Sequence, residues 1–77
     1  MRDPKFSLCE GDEVLAIGTL RNMPGEVVEL RDDAAVVQYT LEDYAGNKVE
    51  GGRVAEPYAR FMWRGSHERG RWIVRQS

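Results

Sequence analysis

Five arginines and two tryptophans near the end of the chain are the residues best suited to recognition chemistry. They are Arg60, Arg64, Arg69, Arg71, Arg75, Trp63 and Trp72. A guanidinium group forms paired hydrogen bonds with a carboxylate or a phosphate, and an indole ring offers a surface for stacking. Strand alternation would place the tryptophans on the face opposite Arg64 and Arg71. The segment therefore predicts a partner-binding surface, for a protein or for RNA or DNA.

The distribution of charge allows two interpretations of these arginines. Residues 1–52 hold eleven acids and five bases, a net charge of −6, whereas residues 53–77 hold six arginines against two acids, a net charge of +4. The arginines could form an open patch, or they could pair with acids of the first half while the tryptophans close the core. The total charge of −2 favours a protein partner, because affinity for nucleic acid rises with the number of phosphates neutralised.

A second set of side chains could form an aromatic cluster: Tyr39, Tyr44, Tyr58 and Phe61. Aromatic rings arranged as a cage bind organic cations through their π faces. Tyr39 has a competing interpretation, because it alternates with Val37 and Leu41 and this pattern favours a place in the core.

Residue types suited to catalysis or metal binding are scarce. Cys9 and His67 are the only cysteine and the only histidine, and such a pair cannot supply a typical zinc site. Ser66, His67 and Glu68 are consecutive, so their side chains diverge and cannot align as a catalytic triad. We therefore predict a protein that is not an enzyme, with no catalytic residue, no metal site and no cofactor. Cys9 is expected to be a partly buried apolar residue in a reducing compartment.

The elements that would position these residues are short strands separated by turns. Apolar, β-branched runs bounded by glycine, proline and aspartate are typical of a small sheet that curls into a barrel. The predicted strands are Glu13–Gly18, Glu26–Leu30, Ala34–Leu41, a short strand around Lys48–Glu50, Arg60–Arg64 and Arg71–Arg75. Pro57 favours a single 3₁₀ turn near Ala55–Tyr58. The fold class is therefore predicted to be all-β, with five or six short antiparallel strands.

Alternation also predicts which side chains face the core. In the third strand these are Ala35, Val37, Tyr39 and Leu41. In the second strand we expect Val28 and Leu30 in the core, with Val27 and Glu29 outside. Met23-Pro24-Gly25 precedes that strand and is predicted to be a turn.

Three segments resemble the SH3-like small barrels, in particular the KOW and Tudor-type modules. Gly11-Asp12-Glu13-Val14 is similar to the start of their first strand, Gly25-Glu26-Val27-Val28 to their second, and Val37-Gln38-Tyr39-Thr40 to their third. The resemblance implies an SH3-like barrel with a 3₁₀ turn before the last strand. It also implies binding of RNA, as in KOW modules, or of methylated side chains by an aromatic cage, as in Tudor domains.

A weaker topological likeness connects the chain with the plasmid-encoded type II dihydrofolate reductases, which also open on a Gly-Asp-x-Val strand. That family lines an oligomeric pore with a Val-Gln-Ile-Tyr segment late in the chain. The late strand here is Arg60-Phe61-Met62-Trp63, so the active-site segment is not present.

A chain of 77 residues fits one domain, with residues 1–9 as a loosely ordered lead-in and residues 64–77 as a basic extension or closing strand. No secretory signal or membrane span is recognisable, which predicts a cytoplasmic protein. A homodimer would add buried surface to so small a core. The predicted function is a non-catalytic protein-interaction module, an adaptor or regulatory subunit. The alternatives are nucleic-acid binding through the arginines and, as a minor one, an oligomeric barrel enzyme.

Overall fold

The computed structural model describes residues 3–18, 22–66 and 70–75. Within these ranges the chain forms a short helix, six strands and a 3₁₀ turn. In order they are α1 (Pro4–Ser7), β1 (Glu13–Ile17), β2 (Asn22–Leu30), β3 (Ala34–Glu42), β4 (Lys48–Pro57), the turn Tyr58–Arg60, β5 (Phe61–Arg64) and β6 (Arg71–Arg75). The all-β prediction is confirmed.

All six strands belong to one sheet in the order β4-β3-β2-β1-β6-β5. The prediction of purely antiparallel strands is wrong, because β1 and β6 run parallel, with Leu15 opposite Ile73. The described part of the chain also leaves β4 and β5 as two separate edges, so the barrel is not closed. The β5–β6 hairpin places β6 rather than β5 beside β1, so β5 forms the second edge.

One face of the sheet, which we call the inner face, carries the hydrophobic core. The buried cluster consists of Leu8, Val14, Ala16, Val27, Ala35, Val37, Tyr39, Phe61, Trp72 and Val74. These side chains alternate with residues of the outer face, as the pleat of a strand requires. A buried large apolar side chain contributes about 1.5–3 kcal/mol, so the aromatic members are the main source of stability in this small domain.

β2 is longer than the sequence predicts, because it includes Met23-Pro24-Gly25 as strand rather than turn. Pro24 pairs with Leu15 of β1, and the pairing of β2 with β3 begins one residue later, at Gly25 and Tyr39. Proline has no backbone N–H to donate, and Pro24 lies at a position where β2 is paired with β1 but not yet with β3. Gly25 belongs in this strand because a Cβ there would lie 2.6 Å from Val37 Cγ1.

The buried face of β2 also differs from the prediction. Val27 lies opposite Val37 and is buried, whereas Val28 is half-buried. A bulge between Val27 and Glu29 accounts for the difference, because it makes Val28 an extra residue without a direct partner. Leu30 is 40% exposed at the end of the strand.

The third strand largely agrees with the prediction, and the fourth does not. β3 buries Ala35, Val37 and Tyr39 on the inner face, but Leu41 there is only half-buried, and Ala34 and Val36 on the outer face are buried too. β4 runs for ten residues where a loop and a short strand are predicted. The 3₁₀ turn therefore begins at Tyr58, after the strand, rather than near Ala55. Pro57 is the last residue of β4, a position that an edge strand tolerates.

The lead-in is partly ordered. Asp3 caps α1 by accepting a hydrogen bond from the Lys5 backbone N–H at 3.0 Å. Leu8 then enters the core, whereas Phe6 is 81% exposed. Cys9 is exposed, contrary to the expectation, because its backbone N–H is held by Asp12 in a surface turn. Among the described residues there is no helix long and apolar enough to cross a membrane.

Candidate interaction surface

The β5–β6 hairpin separates the predicted arginines from the predicted tryptophans. Arg64 lies opposite Arg71, Met62 opposite Ile73, and Trp63 opposite Trp72. Because opposite residues of an antiparallel pair share a face, the arginines project outward while both tryptophans project inward. This alternation is the one that the sequence predicts.

Trp72 cannot serve as a stacking platform, because only 2% of its surface is exposed. Trp63 is half-buried, and its ring packs edge-on against Trp72 with centroids 5.0 Å apart. Phe61 also packs edge-on against Trp72, with ring centroids 6.4 Å apart. The tryptophans therefore stabilise the core beneath the arginines, and the outer surface is left to the guanidinium groups.

The four aromatic residues predicted to cluster do not come together; Tyr58 and Phe61 instead join a group of rings that includes Trp72. Tyr58 and Phe61 are in contact, with ring centroids 6.5 Å apart, and Phe61 continues to Trp72. Tyr39 is buried on β3, and Tyr44 is fully exposed in the turn between β3 and β4. The Tyr58 hydroxyl donates a hydrogen bond to the backbone carbonyl of Arg31. The four predicted rings therefore do not converge on one cation site.

Most of the C-terminal arginines that the structure describes have no carboxylate partner among the described residues. Within the described ranges, Arg71 is the only one of Arg60, Arg64, Arg71 and Arg75 with a carboxylate in ion-pair range, since its Nη2 lies 3.9 Å from Glu13 Oε2. Both side chains of that pair are more than half exposed, so the contact contributes little. Internal pairing with the first half of the chain is therefore not the general arrangement. Arg69 lies outside the described residues.

We call the outer side of β5 and β6 the arginine face; it consists of Arg64, Arg71 and Arg75 around Met62, and Ile73 on the same side is buried beside Met62. One row across the strands contains Arg64 and Arg71, and the next contains Met62 and Ile73. Arg75 follows at the far end, about 13 Å along β6 from Arg71 at 3.3 Å per residue. Met62 is 41% exposed, so the centre of the face is apolar. Arg60, also exposed, is the last residue of the 3₁₀ turn that leads into β5.

Two positively charged side chains of the arginine face lie close enough to repel each other. Like charges directly opposite each other on two strands destabilise a sheet, by about 0.2–1 kcal/mol. Arg64 and Arg71 stand in that relation. An anionic partner would remove this cost on binding, because it would supply the carboxylates or phosphates that the face lacks.

A second surface, which the sequence did not reveal, lies at the edge formed by β4. An open apolar groove of about 200 Å³ runs along its inner face. The groove is lined by Met23, Tyr39, Leu41, Gly51, Gly52, Val54 and Glu56. Val49 and Val54 are 43% and 42% exposed although both lie on the inner face. Their five-residue separation concealed the pattern, because regular alternation would put them on opposite faces.

A bulge in β4 brings these two valines to one face. Gln38 pairs with Arg53 and Thr40 pairs with Glu50, so two residues of β4, Gly51 and Gly52, stand opposite the single residue Tyr39. A Cβ at Gly51 would lie 2.9 Å from the Tyr39 carbonyl oxygen, which explains the glycine there. The Gln38 side chain fixes the bulge, because its Nε2 donates to the Gly51 carbonyl at 2.8 Å and its Oε1 accepts from Arg53 Nε at 2.8 Å.

The turn between β3 and β4 holds this edge in place. Asp43 Oδ1 accepts hydrogen bonds from the backbone N–H groups of Ala45 and Asn47, at 2.9 and 2.8 Å. Gly46 adopts a φ of +83°, which glycine reaches without strain. Asp43 is thus occupied locally and does not serve as a partner for the C-terminal arginines.

Comparison of the chain with protein-family models, with curated proteins and with solved structures finds no match. In the part of the chain that the structure describes, no group of three or more histidine, cysteine, aspartate or glutamate side chains is placed to hold a metal ion. The functional interpretation therefore depends on the two surfaces themselves.

Proposed function

We propose that the protein is a small non-catalytic interaction module, an adaptor or regulatory subunit, that binds an acidic segment of another protein on its arginine face. The observation that carries the proposal is the set of exposed arginines around the apolar Met62, of which only Arg71 has a nearby carboxylate within the described residues. The SH3-like assignment belongs to the same proposal. Its support is the small all-β sheet with a 3₁₀ turn after β4.

The spacing of the face defines the pattern of the partner. In an extended segment, residues i, i+2 and i+4 project to one side over about 13 Å. An acid at i would meet the Arg64–Arg71 row, an apolar residue at i+2 would cover Met62, and an acid at i+4 would reach Arg75. The expected ligand is therefore a strand-like segment of the form acid-x-apolar-x-acid.

Nucleic acid is the second candidate, and the unpaired arginines favour it as well. Phosphates would satisfy the guanidinium groups, but Trp72 is buried and offers no ring for base stacking. A phosphate backbone would also leave Met62 uncovered. A protein segment uses both the charged and the apolar parts of the face, so we place it first.

Fluorescence anisotropy with two labelled probes tests the proposal. The first probe is an extended peptide with glutamate at i and i+4 and leucine at i+2, and the second is a thymidine oligonucleotide. We expect the peptide to bind, and we expect Arg64→Gln or Arg75→Gln to weaken binding about three- to tenfold. Arg31→Gln is the matched control, because it removes the same charge from an arginine that is paired with Glu29 at 2.7 Å.

The specificity of the face is tested by replacing the leucine of the peptide with serine, which should weaken binding because Met62 is then left uncovered. If the oligonucleotide binds more tightly than the peptide, with an affinity that falls as salt is raised, the nucleic-acid candidate replaces the first. Equal effects of Arg64→Gln and Arg31→Gln would show that binding reflects overall charge and not this face.

A further inference from the structure

Along its outer edge, β4 presents backbone groups that no other described strand pairs with, next to exposed apolar side chains. Within the described residues, β4 pairs only with β3, so one side of a ten-residue strand has no neighbour in the sheet. An exposed strand edge presents a row of backbone N–H and C=O groups that can pair with another strand. Val49 and Val54 stand on the same edge, each more than two-fifths exposed.

The sequence of this edge is complementary to itself. If two copies of β4 pair antiparallel about a twofold axis between Gly51 and Gly52, Glu50 of one copy meets Arg53 of the other, and the reverse pair forms as well. Val49 likewise meets Val54 twice. Opposite charges and apolar pairs at directly opposed positions each stabilise a sheet, by about 0.2–1 kcal/mol.

The bulge is what makes this pairing geometrically consistent. Opposed residues of two antiparallel strands must share a face, and in a regular strand positions 50 and 53 have opposite faces. Here Glu50 pairs with Thr40 and Arg53 with Gln38, two residues of β3 that share the outer face. Val49 and Val54 pair with Leu41 and Val37, which share the inner face. The one extra residue that the bulge adds to β4 therefore aligns the charged pairs on one face and the valine pairs on the other.

We infer that two copies of the chain associate through β4, antiparallel, with Glu50 of each copy against Arg53 of its partner. The valines of the partner would then cover the open side of the apolar groove beside Tyr39 and Val54. Arg53 can make this contact, because its hydrogen bond to Gln38 uses only Nε and leaves the two terminal nitrogens of the guanidinium group for the partner. The twofold axis makes the interface isologous, so one copy of this chain is a better fit than an unrelated strand.

The expected dimer is weak. A single strand edge buries less than the roughly 800 Å² per partner of a standard interface. We therefore expect a dissociation constant on the order of 10–100 µM. The association does not depend on the arginine face, which lies on β5 and β6 at the opposite end of the sheet order.

Charge exchange at the interface tests the inference. Sedimentation equilibrium over a range of concentrations should show the wild-type dimer, and Glu50→Arg alone or Arg53→Glu alone should weaken it at least tenfold, since each variant opposes like charges twice. Mixing the two single variants should restore association, because every opposed pair in the mixed dimer then has opposite signs. The chain carrying both substitutions should also dimerise.

The mixing step separates a lost interface from a lost fold, because an unfolded variant cannot be rescued by the other. Glu10→Arg is the matched control: it makes the same charge change on an exposed residue that precedes β1, away from β4, and should leave dimerisation within about twofold of wild type. A wild-type chain that stays monomeric near 1 mM, on the scale set by the expected dissociation constant, would overturn the inference and leave the edge to a strand of another protein. Failure of the mixed variants to associate would overturn it as well.

Discussion

The two ends of the sheet differ in packing and in charge. The β5–β6 hairpin is closely filled beneath, where Phe61 and Trp63 both pack against Trp72, and the charged side chains on its outer side are arginines around Met62. The β4 edge is half open beneath, with two glycines in place of side chains, and it carries Glu50 and Arg53 side by side around the bulge.

This contrast indicates what kind of partner each surface fits. A surface of one sign repels a copy of itself, so the arginine face requires a different molecule of opposite charge. A surface on which signs alternate about a centre can satisfy a copy of itself, because a twofold axis brings each charge to its opposite. Under our two proposals, the chain combines one surface for a foreign acidic partner with one for self-association. A dimer built through β4 would present two arginine faces, and each would add to the avidity for a repeated ligand.

The largest difference between the two ends should be seen in stability. Trp72→Ala removes a buried ring at the centre of the aromatic cluster and should cost about 3–5 kcal/mol. The whole domain has about 4–12 kcal/mol at the usual stability per residue, so much of this variant would unfold. Val54→Ala removes methyl groups that are 42% exposed and should cost less than about 1 kcal/mol.

Urea unfolding at a protein concentration well below the dimer range measures both values. Comparable losses for the two variants would contradict the assignment of β5–β6 as the packed end and β4 as the open end.

The two glycines of the bulge give a sharper test within β4 itself. Gly51→Ala places a Cβ 2.9 Å from the Tyr39 carbonyl oxygen, a backbone atom that cannot easily move, and should cost about 1–3 kcal/mol. Gly52→Ala meets no atom within 4 Å and should instead stabilise the monomer by about 0.4–1 kcal/mol, through the unfolded chain. Thermal unfolding of the two variants side by side measures the difference. If the signs were reversed, the bulge would not have the register described here.

Two strands are predicted well from the sequence. β3 and β6 follow the predicted positions, because their continuous runs of apolar and β-branched residues favour strand, although both strands also bury residues of the outer face, Val36 and Ile73. The inward direction of Trp72 and the outward direction of Arg71 follow from the period of two. The arginine face was thus within reach of sequence reasoning, apart from the burial that removes Trp72 from the surface.

The remaining errors have a common physical cause. Bulges at Val28 and at Gly51-Gly52 change the parity of alternation. No residue type marks the first, and the two glycines of the second indicate a loop as readily as a bulge. The period-two pattern therefore selected Val28 instead of Val27, and it hid the shared face of Val49 and Val54. The parallel contact of β1 with β6 depends on pairing between distant segments, which the local pattern of either strand does not encode.

The smallest expected effect concerns the repulsion across the hairpin. Arg64→Gln removes one of two opposed positive charges and should stabilise the domain slightly at low salt, by about 0.2–1 kcal/mol. Arg31→Gln removes an exposed ion pair with Glu29 and should have no effect or destabilise by up to about 1 kcal/mol. Urea unfolding at low and at high salt should show the two differences converge, because counterions screen exposed charges. A loss of stability in Arg64→Gln that persists at high salt would contradict the repulsion, since the arginine would then be held by contacts within the fold. A gain would mean that the chain keeps Arg64 at a cost to its own stability, which is what a residue reserved for an anionic partner should show.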